Sequence, residues 1–139
     1  MQIKINQLQQ KVNLGITEEE RSIFQELIIS LKITLSNEFS IDKDDISSAV
    51  DYRDIAILLE GLSQNTYQLI ETYATEIITN IHRQFEVIDF VQVEIEKTMT
   101  ASFRFAKSVS VTLDSDDLKK TNSLKDHWFL PYIKKTSNT

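Results

Sequence analysis

The hydrophobic pattern of this 139-residue chain changes its period twice, and the order of those changes constrains the fold more than any other feature. Segment 26–35, ELIISLKITL, alternates apolar and polar residues at every second position. Such alternation is typical of a strand with one buried face. Its apolar face holds Ile29, Leu31, Ile33 and Leu35. Three further segments alternate in the same way: 3–14, 89–97 and 101–113.

Two segments between these strands repeat at the helical period instead: 51–62 and 65–85. The predicted order is therefore β, β, α, α, β, β. Two strand pairs around two helices predict an α+β domain, with a four-stranded antiparallel sheet and both helices on one face. The predicted domain spans residues 1–113. Residues 114–139 form a polar C-terminal extension, flexible or partner-docking, with an aromatic cluster near Trp128.

Several residues are suited to the ends of the two long helices. Asp51 is a candidate N-cap of the first, and Gly61 is placed to end it as a C′ glycine. Asn65 with Gln68 can cap the second. His82 is expected near the polar edge of that second helix.

Composition excludes several classes of site. The net charge of −6 repels phosphate backbones, so no nucleic-acid partner is expected. The lack of cysteine excludes disulfides, thiolate zinc sites and a cysteine nucleophile, and it fits a reducing cytoplasm. Two distant histidines do not form a metal site, and no apolar run approaches the roughly 20 residues of a membrane span. No metal site and no membrane partner are therefore predicted.

Two charged residues share a phase with apolar neighbours. Lys97 follows Val91, Val93 and Ile95 at steps of two, which predicts a partly desolvated amine able to carry protons. The alternative is a solvated lysine beyond the end of the strand. Glu71 falls within the apolar stripe of the second long helix, where a carboxylate would flank a pocket. The alternative is a glutamate at the stripe's edge whose head reaches water.

Four short sequences, in this order, carry a resemblance to a known family: LGITEEER (14–21), AVDYRDIA (49–56), QLIETYATEI (68–77) and VEIEK (93–97). Together with the ββααββ order, they resemble the dihydroneopterin aldolase and dihydroneopterin triphosphate epimerase family over roughly residues 2–113. The resemblance implies a T-fold, in which subunits join edge to edge into a barrel-shaped ring. It also implies a cytoplasmic homo-oligomer, a tetrameric ring or an octamer, with sites between subunits and no metal or organic cofactor.

The resemblance also implies roles for individual residues. Lys97 matches the family's proton-transferring lysine, and Tyr52 matches a tyrosine supplied by the neighbouring subunit. Glu20, five positions after Gly15, matches the glutamate that positions water or substrate hydroxyls. Glu71 matches the glutamate that anchors the pterin ring. Three further residues would line the slot for that ring: Val50, Leu69 and Ile70.

The implied activity is dihydroneopterin aldolase, which releases glycolaldehyde and 6-hydroxymethyl-7,8-dihydropterin for folate biosynthesis. The alternative is the triphosphate 2′-epimerase, in which the cleaved fragments rejoin on the other face. Thr98 after Lys97, where aldolases often carry proline, and the sequences LGITEEE and FRFAKSVSVTL are closer to the epimerase branch. A further alternative is a non-catalytic scaffold that binds partners through residues 114–139.

The stretch LGITEEER raises one conflict. Thr17 and Glu20 have the spacing of a capping box, whereas the resemblance assigns Glu20 to the active site. One carboxylate is not expected to serve both roles. We therefore expect Glu20 to face the site and the Thr17 box to be absent.

Overall fold

The computed structural model describes residues 1–37, 44–45, 49–98 and 106–122. The strands are β1 (Gln2–Leu14), β2 (Phe24–Leu35), β3 (Thr66–Tyr67), β4 (Ile88–Thr98) and β5 (Ser108–Asp114). The helices are α1 (Glu18–Arg21), α2 (Tyr52–Leu62), α3 (Ile70–Gln84) and α4 (Ser115–Asn122). Phe103, Phe105 and the aromatic residues after position 122 lie outside the described ranges. None of the described helices is long and apolar enough to cross a membrane.

One sheet holds all five strands in the order β3-β1-β2-β4-β5. The four long strands pair antiparallel, as predicted. The predicted alternation of β2 is confirmed, because its odd-numbered residues from Leu27 to Leu35 are all buried. They pack with α2 and α3 into a single hydrophobic core, which includes Ile55, Leu59, Ile77 and Ile81.

The predicted count of four strands is wrong, because Thr66 and Tyr67 pair parallel to Asn13 and Leu14 as a short fifth strand. This pairing also overturns the predicted Asn65–Gln68 cap. Helix α3 begins only at Ile70, and its N-cap residue Leu69 makes no side-chain capping bond. A long-range backbone pairing therefore overrides a local capping pattern.

The predicted end of α2 is also wrong. Asp51 does cap the helix, since its side chain accepts from the Arg53 N–H. Gly61, however, lies inside the helix and does not adopt a positive φ. Ser63 takes over the terminal role, because its N–H donates to the Leu59 carbonyl at 2.9 Å and its hydroxyl donates to the Glu60 carbonyl at 2.6 Å.

Helix α4 was not predicted, and it packs where the sequence suggested a polar extension. Ser115 and Leu118 are both 4% exposed, so the start of this helix lies against the sheet and α3. The Ser115 hydroxyl accepts from the Val91 N–H at 2.9 Å and lies 2.7 Å from Nε2 of His82. The expectation that His82 sits near a polar edge is wrong, because this helix covers it and leaves it 6% exposed.

Candidate active site

The site is built around the loop that leaves β1. Gly15 lies against the following helical turn so closely that a Cβ there would come within 2.3 Å of the Glu20 Cβ. The Arg21 guanidinium donates from Nη1 to the carbonyls of Gly15 and Ile16, at 3.0 and 2.7 Å. The side chain of Asn13 donates to the Arg21 carbonyl at 2.7 Å. Side-chain hydrogen bonds from residues at both ends of the loop therefore stabilise its conformation.

Glu20 both caps α1 and faces Lys97, so the expectation that the Thr17 box would be absent is wrong. The Thr17 hydroxyl accepts from the Glu20 N–H at 3.1 Å and donates to Glu20 Oε1 at 3.0 Å. The other carboxylate oxygen, Oε2, lies 3.9 Å from the Lys97 Nζ. A carboxylate has two oxygens, and here each one has its own partner, so the two roles are compatible.

Lys97 occupies the position that its phase on β4 predicts. It pairs across the sheet with Leu27 on one side and with Val109 on the other. Its side chain is 21% exposed, which makes it a partly desolvated amine near the end of the strand. The ion pair with Glu20 is long and half-open to solvent, so its contribution to stability is small.

A groove of about 190 Å³ joins these residues. The lining residues come from the β1 loop, the start of α3, and the facing parts of β4 and β5. They are Leu14, Gly15, Ile16, Glu20, Gln68, Leu69, Ile70, Glu71, Lys97 and Val109. Five of the seven predicted site residues therefore line one groove: Glu20, Leu69, Ile70, Glu71 and Lys97.

Glu71 lies in the first turn of α3 and is exposed, not enclosed in the apolar stripe. Because the helix starts at Ile70, no preceding turn covers Glu71, and its head reaches water. It still borders the groove. Its exposure matches the alternative prediction, a glutamate at the edge of the apolar stripe whose head reaches water.

Tyr52 and Val50 lie apart from the groove within this chain. Tyr52 is the first residue of α2 and is 62% exposed, whereas Val50 is 8% exposed and belongs to the core. Neither lines the groove that contains the other five predicted residues.

Five residues that line the groove were not among the predicted site residues: Leu14, Gly15, Ile16, Gln68 and Val109. Val109 could have been found, because the alternation of β5 and its pairing with β4 bring it opposite Lys97. Ile16 and Gln68 carry no such signal. Their places depend on the β1 loop and on the β3 pairing, both of which form through long-range contacts.

The electrostatics of the groove keep Glu20 ionised. The Thr17 hydroxyl and backbone N–H lower the pKa of this carboxyl, and the Lys97 ammonium adds to the effect. The described residues include no group of three histidine, aspartate or glutamate side chains placed to hold a metal ion. The site therefore offers an ionised carboxylate beside an amine, with a second carboxylate, that of Glu71, lining the same groove.

Residues 3–114 match the family model described as dihydroneopterin aldolase. The chain belongs to the dihydroneopterin aldolase family. This confirms the resemblance seen in the sequence. A dihydroneopterin triphosphate 2′-epimerase from Pseudomonas aeruginosa is 30% identical over 112 residues, which cover 80% of this chain and 89% of that one. The Escherichia coli protein of the same name is 29% identical and is covered to 91%.

Solved structures of the family share the fold. Escherichia coli dihydroneopterin aldolase in complex with neopterin superposes with a TM-score of 0.73 at 22% identity, covering 82% of this chain and 97% of that one. A Burkholderia thailendensis dihydroneopterin aldolase bound to guanine gives 0.66 at 15% identity, with coverage of 82% and 88%. The predicted α+β class is confirmed by these likenesses.

Proposed function

We propose that this protein is an enzyme that breaks the C1′–C2′ bond in the side chain of a 7,8-dihydroneopterin by a retro-aldol reaction. The observation that carries the proposal is the single groove in which Lys97, Glu20 and Glu71 converge. Membership of the dihydroneopterin aldolase family supports a dihydropterin as the substrate class for that groove.

Residues at the start of α3 would bind the pterin ring. The Glu71 carboxylate would accept hydrogen bonds from the ring's amino group and a ring N–H, a pairing that is charge-assisted. Leu69 and Ile70 would supply backbone groups and an apolar edge for the flat ring. Solved relatives in complex with neopterin and bound to guanine support a ligand of this chemical type.

We assign the chemical steps to Lys97 and Glu20. The 2′-hydroxyl loses a proton, the C1′–C2′ bond breaks, and its electron pair passes into the C=N bond of the dihydropterin ring as an enamine. Reprotonation at C1′ gives 6-hydroxymethyl-7,8-dihydropterin and glycolaldehyde. Because the ring accepts the electrons, Lys97 acts as a proton carrier and not as a nucleophile. Glu20 orients water or the substrate hydroxyls beside it.

Tyr52 and Val50 would complete the site from a neighbouring subunit, because within one chain they lie apart from the groove. Tyr52 would then donate to and accept from the reacting hydroxyl. The proposal therefore includes a homo-oligomer, a tetrameric ring or octamer, acting on a small-molecule pterin in the cytoplasm.

A second candidate is the 2′-epimerisation of dihydroneopterin triphosphate. Two relatives at 29–30% identity carry that name, and it is the specific observation in its favour. The first half of the reaction is the same. The outcome depends on whether glycolaldehyde leaves or rejoins C1′ through its other face.

The test is incubation of the purified protein with 7,8-dihydroneopterin and, separately, with its triphosphate. Chromatography then resolves hydroxymethyl product from 2′-epimer. Lys97→Ala should lower kcat by about 10²–10⁴-fold, the usual contribution of a positioned proton carrier. Lys11→Ala, at an exposed lysine of β1, is the matched control and should leave kcat unchanged. Turnover of neither substrate, or equal rates for Lys97→Ala and wild type, would refute the proposal.

A further inference from the structure

The two oxygens of Glu20 have different partners. Oε1 accepts from the Thr17 hydroxyl at 3.0 Å and from the Thr17 N–H at 3.4 Å. Oε2 is turned to the Lys97 Nζ at 3.9 Å. The capping bonds on one oxygen therefore set the direction in which the other oxygen points.

The Thr17 hydroxyl has little freedom to do otherwise. Its oxygen accepts from the Glu20 N–H at 3.1 Å, which leaves its proton for the Glu20 carboxylate. The close approach of Gly15 to the Glu20 Cβ restricts the other end of the same side chain. The terminal torsion of a free glutamate is broad, so a carboxylate without these contacts samples many orientations.

We propose that Thr17 is a positioning residue for the reaction: its hydroxyl holds Glu20 Oε1 so that Oε2 faces Lys97 and the groove. This inference rests on the proposed function of that groove. Thr17 itself does not line the groove, so it acts through Glu20 and not on substrate. Glu71, which would hold the pterin ring, lies on a different element and is untouched by the Thr17 contacts.

A loss of the hydroxyl should therefore change kcat and leave KM nearly unchanged. Thr17→Val keeps the side-chain shape and removes the donor. The loss of this hydrogen bond to a charged group should lower kcat by about 10-fold. The acid limb of the pH profile of kcat should move to higher pH, since the donor that favours the ionised carboxylate is gone.

The experiment compares kcat, KM and the pH profile of wild type, Thr17→Val and Thr17→Ser at a temperature well below unfolding. Thr17→Ser keeps the hydroxyl and should restore kcat and the acid limb. Thr112→Val is the matched control, because Thr112 is exposed on β5 and does not line the groove. A role confined to capping α1 would lower the unfolding temperature of Thr17→Val without moving kcat or the acid limb.

Each outcome of this experiment either supports or overturns the positioning role of Thr17. A fall in kcat for Thr17→Val with recovery in Thr17→Ser supports the inference. Equal kcat and pH profiles for wild type and Thr17→Val overturn it, while the wild-type rate still upholds the proposed function. An inactive wild type overturns the proposed function, and the inference falls with it.

Discussion

At the scale of single residues, Glu71 separates recognition from chemistry. It borders the groove from the start of α3, whereas Lys97 and Glu20, on other elements, form an ion pair with each other. Removing its charge should therefore weaken binding of the pterin ring and spare the proton transfer. This division assigns KM and kcat effects to different residues.

Glu71→Gln should raise KM by about 10-fold, because the amide loses one acceptor and one charge toward the ring's N–H groups. The change in kcat should be much smaller. Glu86→Gln, at another exposed glutamate, is the matched control. Steady-state kinetics on both substrates provides the measurement, and an unchanged KM would show that the ring does not bind at Glu71.

The two glycines of the chain give opposite predictions. Gly15→Ala would drive a Cβ to within 2.3 Å of the Glu20 Cβ, so the turn must shift, at a cost of about 1–3 kcal/mol. Gly61→Ala meets no atom within 4 Å and replaces a helical glycine, so it should stabilise by about 0.5 kcal/mol. Urea unfolding of both variants measures the difference, and Gly15→Ala should also lose activity. Equal stabilities would contradict the close packing of the loop.

At the scale of elements, α4 is fastened to the sheet and to α3 through a buried polar contact. Nε2 of His82 lies 2.7 Å from the Ser115 hydroxyl, which also bonds the Val91 N–H. Burial lowers the pKa of His82 to about 4, so the folded protein holds the ring neutral. The stability of this junction is therefore linked to pH.

The sign of that linkage follows from proton counts. Between pH 6.5 and about 4 the unfolded chain binds a proton at His82 that the folded chain does not. The free energy of unfolding should therefore fall as the pH drops through that window, by up to about 3 kcal/mol. Urea unfolding of wild type and His82→Gln at several pH values separates the contribution of His82 to this pH dependence from that of the carboxylates. Parallel stability curves for the two proteins would contradict it.

The sequence predicted elements whose signals are local and missed those that depend on distant pairing. The apolar face of β2, the Asp51 cap and the phase of Lys97 follow from neighbouring residues, and all three agree with the structure. The start of α3 does not follow from neighbouring residues. The Tyr67 backbone carbonyl accepts from the Gly15 N–H at 3.0 Å, and this pairing with a distant segment delays the helix. His82 was misplaced for the same reason, since the helix that covers it lies 33 positions later.

The candidate site shows the same division. The choice between a cap and a site for Glu20 could not be made from spacing, because both patterns use the same residue. Only the geometry shows that its two oxygens are divided between Thr17 and Lys97. The convergence of Glu71 with Lys97 likewise depends on how α3 is set against β4, which no local pattern encodes.

At the scale of the whole molecule, the sheet ends in two edges, and among the described residues no strand lies outside β5. An unpaired edge of this length favours pairing with another chain. Ile16, Ile23 and Phe24 are 72%, 63% and 61% exposed, which places apolar surface near the loop that forms the groove. Both features favour an assembly in which subunits meet beside the site.

We expect native mass spectrometry to give four or eight copies of the 16.1 kDa chain. Because Tyr52 would reach the groove of a neighbour, dilution that separates subunits should lower specific activity in parallel with the loss of oligomer. Tyr52→Phe should lower kcat without changing the mass. A monomer with full activity at every concentration would refute a shared site.

The most direct measurement of the central claim is the reaction of wild type in D₂O, with products followed by NMR and mass spectrometry. Retro-aldol cleavage predicts glycolaldehyde and 6-hydroxymethyl-7,8-dihydropterin with one deuterium on the hydroxymethyl carbon, since C1′ is reprotonated from solvent. Epimerisation by the same route predicts the 2′-epimer with no deuterium at C1′. Hydroxymethyl product without deuterium at that carbon, or no conversion of either substrate, would contradict the account.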